Sequence, residues 1–344
     1  MSVRDGREPV GIGLDVGGTK ILAMAVSAGG TVLAEARRAT PAGGEEVLDA
    51  AAGLVLELAK VLGVHVRELA GVGVGAPGLV DAEGVLLFAP NLLGANMTSV
   101  RAGLEMRLGE GCSVAVDNDA TCAMAGEWAF GAAAGCDDAL LVTIGTGIGG
   151  GIVSGGRLLR GAHNFAGEIG HVICDPHGPP CPCGKRGCWE RYASGTGLGR
   201  LARDAAQAGR ARALVERAGG DPDALRGEHV VAAAADGDEE ATAIVSEFAW
   251  WLGLGLANLA NILDPELIVL GGGLVLAGEV LLGPTRAAFS GFVEREVERA
   301  GLRIVAARLG DAGGAIGAAT IGFGALGALD VLGAAGADGA GTPS

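Results

Sequence analysis

Residues 13–20 read Gly-Leu-Asp-Val-Gly-Gly-Thr-Lys and sit between two apolar runs, Val10 to Ile12 and Ile21 to Val26. Phosphate loops of the Walker and Rossmann kinds need a helix directly after their glycines, because the helix N-terminus supplies the anion site. No N-cap and no helical period follows Lys20, so the segment reads as strand, hairpin tip, strand. "TVLAEARRA" continues it as a third strand of a meander. A glycine-rich hairpin turn presents successive backbone N–H groups, which can form an anion nest without any helix dipole.

The same shape returns at 139–159, "ALLVTIGTGIGGGIVSGGRLL", and Asp15 to Thr19 align with Thr143 to Gly147. Each meander is followed at a distance by a helical stretch and a strand ending in glycine. In the first half these are "EEVLDAAAGLVLELAKVLG" and "LAGVGVGAPG"; in the second they are "EEATAIVSEFAWWLGLGLANLANIL" and "ELIVLGGG". Four elements repeated in one order predict an internal duplication of a β-meander plus α/β unit. Two facing halves would grip a phosphate between two β-turns, one from each.

At 344 residues the chain is long enough for two domains, and 49% apolar content supplies their cores. Net charge is −15, which excludes bulk attraction to nucleic acid or anionic membrane. "MSVRDGREPV" carries no apolar signal core, and "FAWWLGLGLANLANIL" contains Asn258 and Asn261 and reads as too short to span a bilayer. A cytoplasmic protein is expected. "GAAGADGAGTPS" at 333–344 is small and polar and is expected to be disordered.

Seven cysteines in a reducing compartment need a reason other than disulfides. Cys181, Cys183 and Cys188 cluster around Gly184 and Gly187, and three thiols with one imidazole make a four-coordinate zinc site. His171 and His177 compete for the fourth place. Four protein ligands leave the metal no open position, so its role would be structural. Cys112, Cys122, Cys136 and Cys174 are scattered and read as small core residues. "VAVDNDATCAMAGE" predicts a strand running into Asp117-Asn118-Asp119 and a helix beginning near Ala120. Asn118 or Asp119 could simply cap that helix, or a carboxylate at this strand end could act as a general base. Gly75 to Gly78 form a turn, Pro90-Asn91-Leu92 follow a strand, and Gly271 to Gly273 let a flat ligand approach the backbone. The run "EREVERA" near residue 297 reads as a solvated helix face.

"DVGGTK", "VTIGTGIGGGIVSGG", the Glu-x-x-His of "GEIGH" and "CPCGKRGCWE", in this order over roughly residues 10 to 325, resemble signatures of the ROK family of sugar kinases. The resemblance is strongest to its bacterial glucokinases. It implies an α/β, two-domain actin/hexokinase-like fold, a ribonuclease H-like duplication with an interdomain cleft. It makes Asp119 the catalytic base and Gly75, Asn91, Asn118, Asp119, Glu168, His171 and Glu190 sugar contacts. The Glu-x-x-His histidine is also a zinc ligand in the family, so the implied set is His171, Cys181, Cys183 and Cys188. Gly17, Gly18, Thr19 and Lys20 match the first phosphate segment, with Asp15 holding Mg²⁺. Thr143, Gly145, Thr146 and Gly147 match the second, and Gly271, Gly272 and Gly273 the adenosine segment.

The expected activity is phosphoryl transfer from MgATP to the 6-hydroxyl of glucose, with domain closure expelling water. Fructose, mannose or N-acetylmannosamine remain alternative acceptors, and polyphosphate an alternative donor. About ten residues precede the first predicted strand, so the helix-turn-helix of the family's transcription regulators is not expected, and a sugar-sensing regulator is the less favoured alternative. A small N-terminal domain is expected over 1–119, and a large C-terminal one over 120–330, with its last helix packing back on the first. No nucleic-acid or membrane partner is expected, and the resemblance suggests a homodimer or homotetramer.

Overall fold

The structure, a computed structural model, describes residues 8–324; the expected tail at 333–344 lies outside them. The meander consists of β1 (Val10–Val16), β2 (Lys20–Ser27) and β3 (Val32–Ala39), followed by α1 (Gly44–Leu62). Next come β4 (Val72–Ala76), β5 (Leu79–Val80), β6 (Val85–Phe88), β7 (Thr98–Ser99), α2 (Val100–Leu108), β8 (Val114–Asn118) and α3 (Asp119–Phe130). The second meander is β9 (Ala139–Ile144), β10 (Ile148–Ser154) and β11 (Arg157–Leu158). Helices α4 (Glu190–Ala193), α5 (Gly195–Gln207), α6 (Arg212–Arg217), α7 (Gly227–Ala235) and α8 (Glu239–Leu263) follow. The chain then forms β12 (Leu267–Gly271), α9 (Glu279–Phe292), β13 (Arg303–Ala306) and α10 (Gly313–Gly324).

Strand order repeats. One five-stranded sheet runs β3-β2-β1-β4-β8 and the other β11-β10-β9-β12-β13, with β5-β6-β7 as a small third sheet. Strands β1, β4 and β8 are parallel, as are β9, β12 and β13. This is the duplicated α/β architecture of the actin/hexokinase class.

By packing, the described chain forms two units. The first runs to Cys136, resumes over Gly151–Gly167 and again from Arg308; the second holds Asp137–Gly150 and Glu168–Ala307. The chain divides after α3 rather than at the expected 119/120, because α3 packs on α10 and Asp117 is held by Arg160 from the segment after β11.

In the first unit the alternation of "VGIGLDV" has a direct cause. Ile12, Leu14 and Val16 join Val72 and Val74 of β4 and Leu54, Val55 and Leu58 of α1 in one core. The opposite face carries glycines, and α10 lies on it. A Cβ at Gly13 would stand 1.8 Å from the Ala315 carbonyl oxygen, and one at Gly73 1.7 Å from that of Ala318. Helix backbone rests on sheet backbone, which only residues without a side chain permit.

In the second unit, α8 is the one described helix long and apolar enough to cross a membrane by length and composition, and 61% of its most apolar window is buried inside the protein. It spans the whole helical stretch read from the sequence, longer than the apolar portion from Phe248 that reads as too short for a bilayer, and Phe248, Leu252 and Leu256 are fully buried core. "EREVERA" is solvated but not helical. α9 ends at Phe292, Arg295 takes a positive φ of 57°, and Arg299 donates to the Ala260 carbonyl at 2.7 Å and pairs with Asp264, tying the segment to the end of α8.

Gly13→Ala is expected to destabilise the protein by about 3 kcal/mol or more, since the obstacle is backbone that cannot rotate away. Gly291→Ala, at an α9 position with open space around it, is expected to be neutral or slightly stabilising. Urea denaturation of both variants checks the contrast.

Candidate active site

In the first unit the glycine tip closes by the Gly17 amide donating to the Lys20 carbonyl at 2.9 Å. Thr40, on the segment after β3, braces it: its hydroxyl donates to the Gly17 carbonyl at 2.6 Å and its amide to that of Thr19 at 3.0 Å. Gly18, Thr19 and Lys20 are exposed. The exposed Asn91 lies beside the tip, its carbonyl oxygen 2.7 Å from where a Cβ on Gly18 would stand. Asp15 ends β1 on the α10 face; burial pushes its carboxyl above the ordinary 3.8, against the pull of Lys20 and with the push of Asp311. The β4 end brings Gly75 against Cys122 and the Asp119 Cα.

The β8–α3 junction concentrates polar groups. Asn118 caps α3, its Oδ1 accepting from the Ala120 amide at 2.9 Å and the Thr121 amide at 3.3 Å, while its Nδ2 donates to the Gly78 carbonyl at 3.1 Å. The capping alternative read from the sequence is thus realised by Asn118. Asp119 is half-buried and its Oδ1 accepts from the Ala120 amide at 2.8 Å. Asp117 is 2% exposed; its Oδ2 pairs with Arg160 Nε at 2.7 Å and its Oδ1 accepts from the Asn118 amide at 2.9 Å and Asn164 Nδ2 at 3.3 Å.

In the second unit the β9–β10 turn is again a tight hairpin, with the Gly145 amide donating to the Gly147 carbonyl at 3.0 Å. The start of α5 grips it: the Gly195 amide donates to the Gly145 carbonyl at 2.8 Å and the Thr196 hydroxyl to the Thr146 carbonyl at 2.7 Å. Behind the turn, Thr143 pairs with Gly271 across parallel strands. Gly272 packs on the Ile144 backbone, while Gly273 opens into a cleft of about 420 Å³ that Gly145, Thr146, Thr196, Arg203 and Arg226 also line. The sequence reading missed Thr196, Arg203 and Arg226. "SGTG" at 194–197 did carry a signal, since Ser194 caps α5 by accepting from the Gly197 amide at 3.1 Å; the two arginines sit in no motif.

The cysteine loop brings His171, Cys181, Cys183 and Cys188 together with all ligand atoms within 4.8 Å of one another, and His177 is not part of the group. Cys183 and Cys188 Sγ are 3.5 Å apart, close to the ~3.8 Å that a tetrahedral ion with ~2.3 Å bonds to sulfur requires. The group could hold a metal ion. Glu168 Oε2 is 3.8 Å from His171 Nε2, and Glu190 Oε1 is 3.7 Å from His171 Nδ1, so the imidazole lies between two carboxylates. Burial raises the Glu168 carboxyl, opposed by His171 and reinforced by Glu190. A Cβ on Gly147 would stand 2.5 Å from Glu190 Oε2, so the hairpin and the cluster are neighbours. Trp189 roots the loop: it is 1% exposed and its Nε1 donates to the Trp251 carbonyl of α8 at 2.8 Å. Cys112, Cys122 and Cys136 are buried as expected, but Cys174 is only partly so, because it lies on this short surface loop.

Known proteins place this arrangement. A glucokinase of Streptomyces coelicolor is 39% identical over 313 residues, covering 90% of this chain and 96% of that protein. The crystal structure of a ROK family glucokinase from Streptomyces griseus in complex with glucose and AMPPNP is 39% identical and superposes with a TM-score of 0.80, covering 91% of this chain and 99% of that one. A ROK hexokinase from Thermus thermophilus is 35% identical with a TM-score of 0.74, covering 91% and 98%. The ROK family pattern matches residues 11–323, through both hairpins and the cysteine loop, so the chain belongs to the ROK family.

Proposed function

We propose that this protein transfers the γ-phosphoryl group of ATP to the 6-hydroxyl of glucose. The observation that carries the reading is the 39% identity, over 91% of this chain, to a glucokinase whose structure holds glucose and AMPPNP.

In the first unit, Asp119 accepts the proton of the attacking hydroxyl at the start of α3. Its neighbours Asn118, Gly75 and Asn91 complete that part of the sugar site, with the Asn118 side chain shaping the turn through its cap. Gly17, Gly18 and Thr19 offer backbone N–H groups to phosphate oxygens and Lys20 adds a cation. Asp15 beside Asp311 offers the oxygen donors Mg²⁺ prefers, and bound there the ion would neutralise charge on the transferring group.

In the second unit, Gly145, Thr146 and Gly147 cradle the nucleotide phosphates below Thr143. The cleft at Gly273, with Gly271 and Gly272 behind it, takes the adenosine. Glu168 and Glu190 accept hydrogen bonds from sugar hydroxyls, and His171 donates one. Zinc held by His171, Cys181, Cys183 and Cys188 would supply no chemistry of its own; it fixes the imidazole and through it both carboxylates. A soluble hexose and a soluble nucleotide suit a protein of the cytoplasm.

Asp119→Ala is expected to lower kcat by about a hundredfold to ten-thousandfold while glucose still binds. A coupled ADP-release assay with calorimetric glucose titration reads this, and near-normal turnover would reject the assignment. Metal analysis should find one zinc per chain, and its removal by chelation should lower Tm and raise KM for glucose more than KM for ATP. Asp15→Asn is expected to abolish most turnover yet raise Tm at neutral and alkaline pH. The buried carboxylate costs the fold stability when ionised, so the gain should shrink as pH falls through the raised Asp15 pKa, and a calorimetric Tm series against pH measures it.

A further inference from the structure

Two residues before the proposed base, the chain buries a carboxylate. Asp117 is 2% exposed at the end of β8, and Arg160 and Asn164, from the segment after β11, provide its side-chain partners. A buried ion pair adds little net stability over an apolar pair, because desolvation offsets most of the attraction. What this one does is geometric. Asp117 Oδ1 accepts from the Asn118 amide at 2.9 Å and so orients the peptide that leads into Asp119. Asn164 Nδ2 also donates to the Val80 carbonyl at 3.1 Å, joining β5 to the same carboxylate. The Ala166 amide donates to the Arg160 carbonyl at 3.0 Å, which closes residues 160–166 into a compact loop. Asn164 sits within it at a positive φ of 67°, a conformation asparagine tolerates better than most residues.

We infer that Arg160 and Asn164 are positioning residues for phosphoryl transfer, acting through Asp117 on the Asn118–Asp119 turn. This rests on the reading of Asp119 as base.

The test measures kcat, both KM values and Tm for Arg160→Met, Arg160→Lys, Asn164→Ala, Asp117→Asn/Arg160→Met and Asp119→Ala. Arg160→Met is expected to lower kcat about ten- to a hundredfold and raise KM for glucose, with KM for ATP unchanged, since small misplacements of reacting groups cost factors of this size. Arg160→Lys should recover much of the loss, because Asp117 is met by a single donor nitrogen. The double variant should exceed Arg160→Met in kcat, because no uncompensated charge remains buried. Should Arg160→Met fail to fold, Asn164→Ala carries the test with the same kcat and KM pattern at smaller size. If Asp119→Ala is inactive while Arg160→Met and Asn164→Ala stay within twofold of wild type in kcat, the positioning role is overturned. It is equally overturned if kcat and both KM values change together in proportion to lost Tm. If Asp119→Ala keeps normal turnover, the base assignment fails and the inference falls with it.

Discussion

Close contact between α10 and the glycine face of β1 and β4 is the constraint on which the first unit depends. Helix backbone lies against sheet backbone because Gly13 and Gly73 place no side chain between them. That contact fixes more than a core. Asp15 ends the same face of β1 over the start of α10, with its carboxyl oxygen 2.9 Å from where a Cβ on Gly314 would stand. Helix α3 packs on α10 with equally little room, since a Cβ on Gly317 would stand 1.6 Å from the Cys122 carbonyl oxygen. Asp15 and Asp119, the acidic groups proposed for catalysis in this unit, therefore both neighbour one helix that enters from the far end of the chain.

Polar groups gather at the strand ends because the interior of the sheet offers them no partners. Asp117 is buried only by virtue of three hydrogen-bond donors, and Asn118 divides its amide between capping α3 and the Gly78 carbonyl. In the second unit the same economy holds around His171, which has a carboxylate on either side and thiols behind it. Each site is a small, dense set of groups whose charges and donors satisfy one another, so that removing one changes the rest.

Much of this was legible in the chain. The apolar strand after Lys20 ruled out a helix-borne phosphate loop, and the repeated meander foretold two sheets of one strand order. Three cysteines around two glycines marked the group that could hold a metal; spacing left His171 and His177 equal, the family resemblance favoured His171, and the fold brings His171 to the thiols. Arg160 and Asn164 were not legible. They lie some forty residues from Asp117, in a stretch without motif, and a buried carboxylate gives no sequence sign of which cation will find it. Arg203 and Arg226 escaped for the same reason: a cleft wall is assembled from helices that the chain visits separately. "EREVERA" misled because charge alternation suits any solvated backbone, and here the segment forms turns with Arg299 tied to the end of α8.

Local chemistry in the sequence determined the hairpins, the duplication and the thiol cluster, since each needs only neighbouring residues whose backbone freedom or side-chain period is written in order. Tertiary structure alone decided how closely α10 rests on β1 and β4, that Asn118 also reaches the Gly78 carbonyl, and which arginine meets Asp117. Those outcomes depend on contacts between segments far apart in the chain, where burial and shape choose among many partners that composition leaves equivalent.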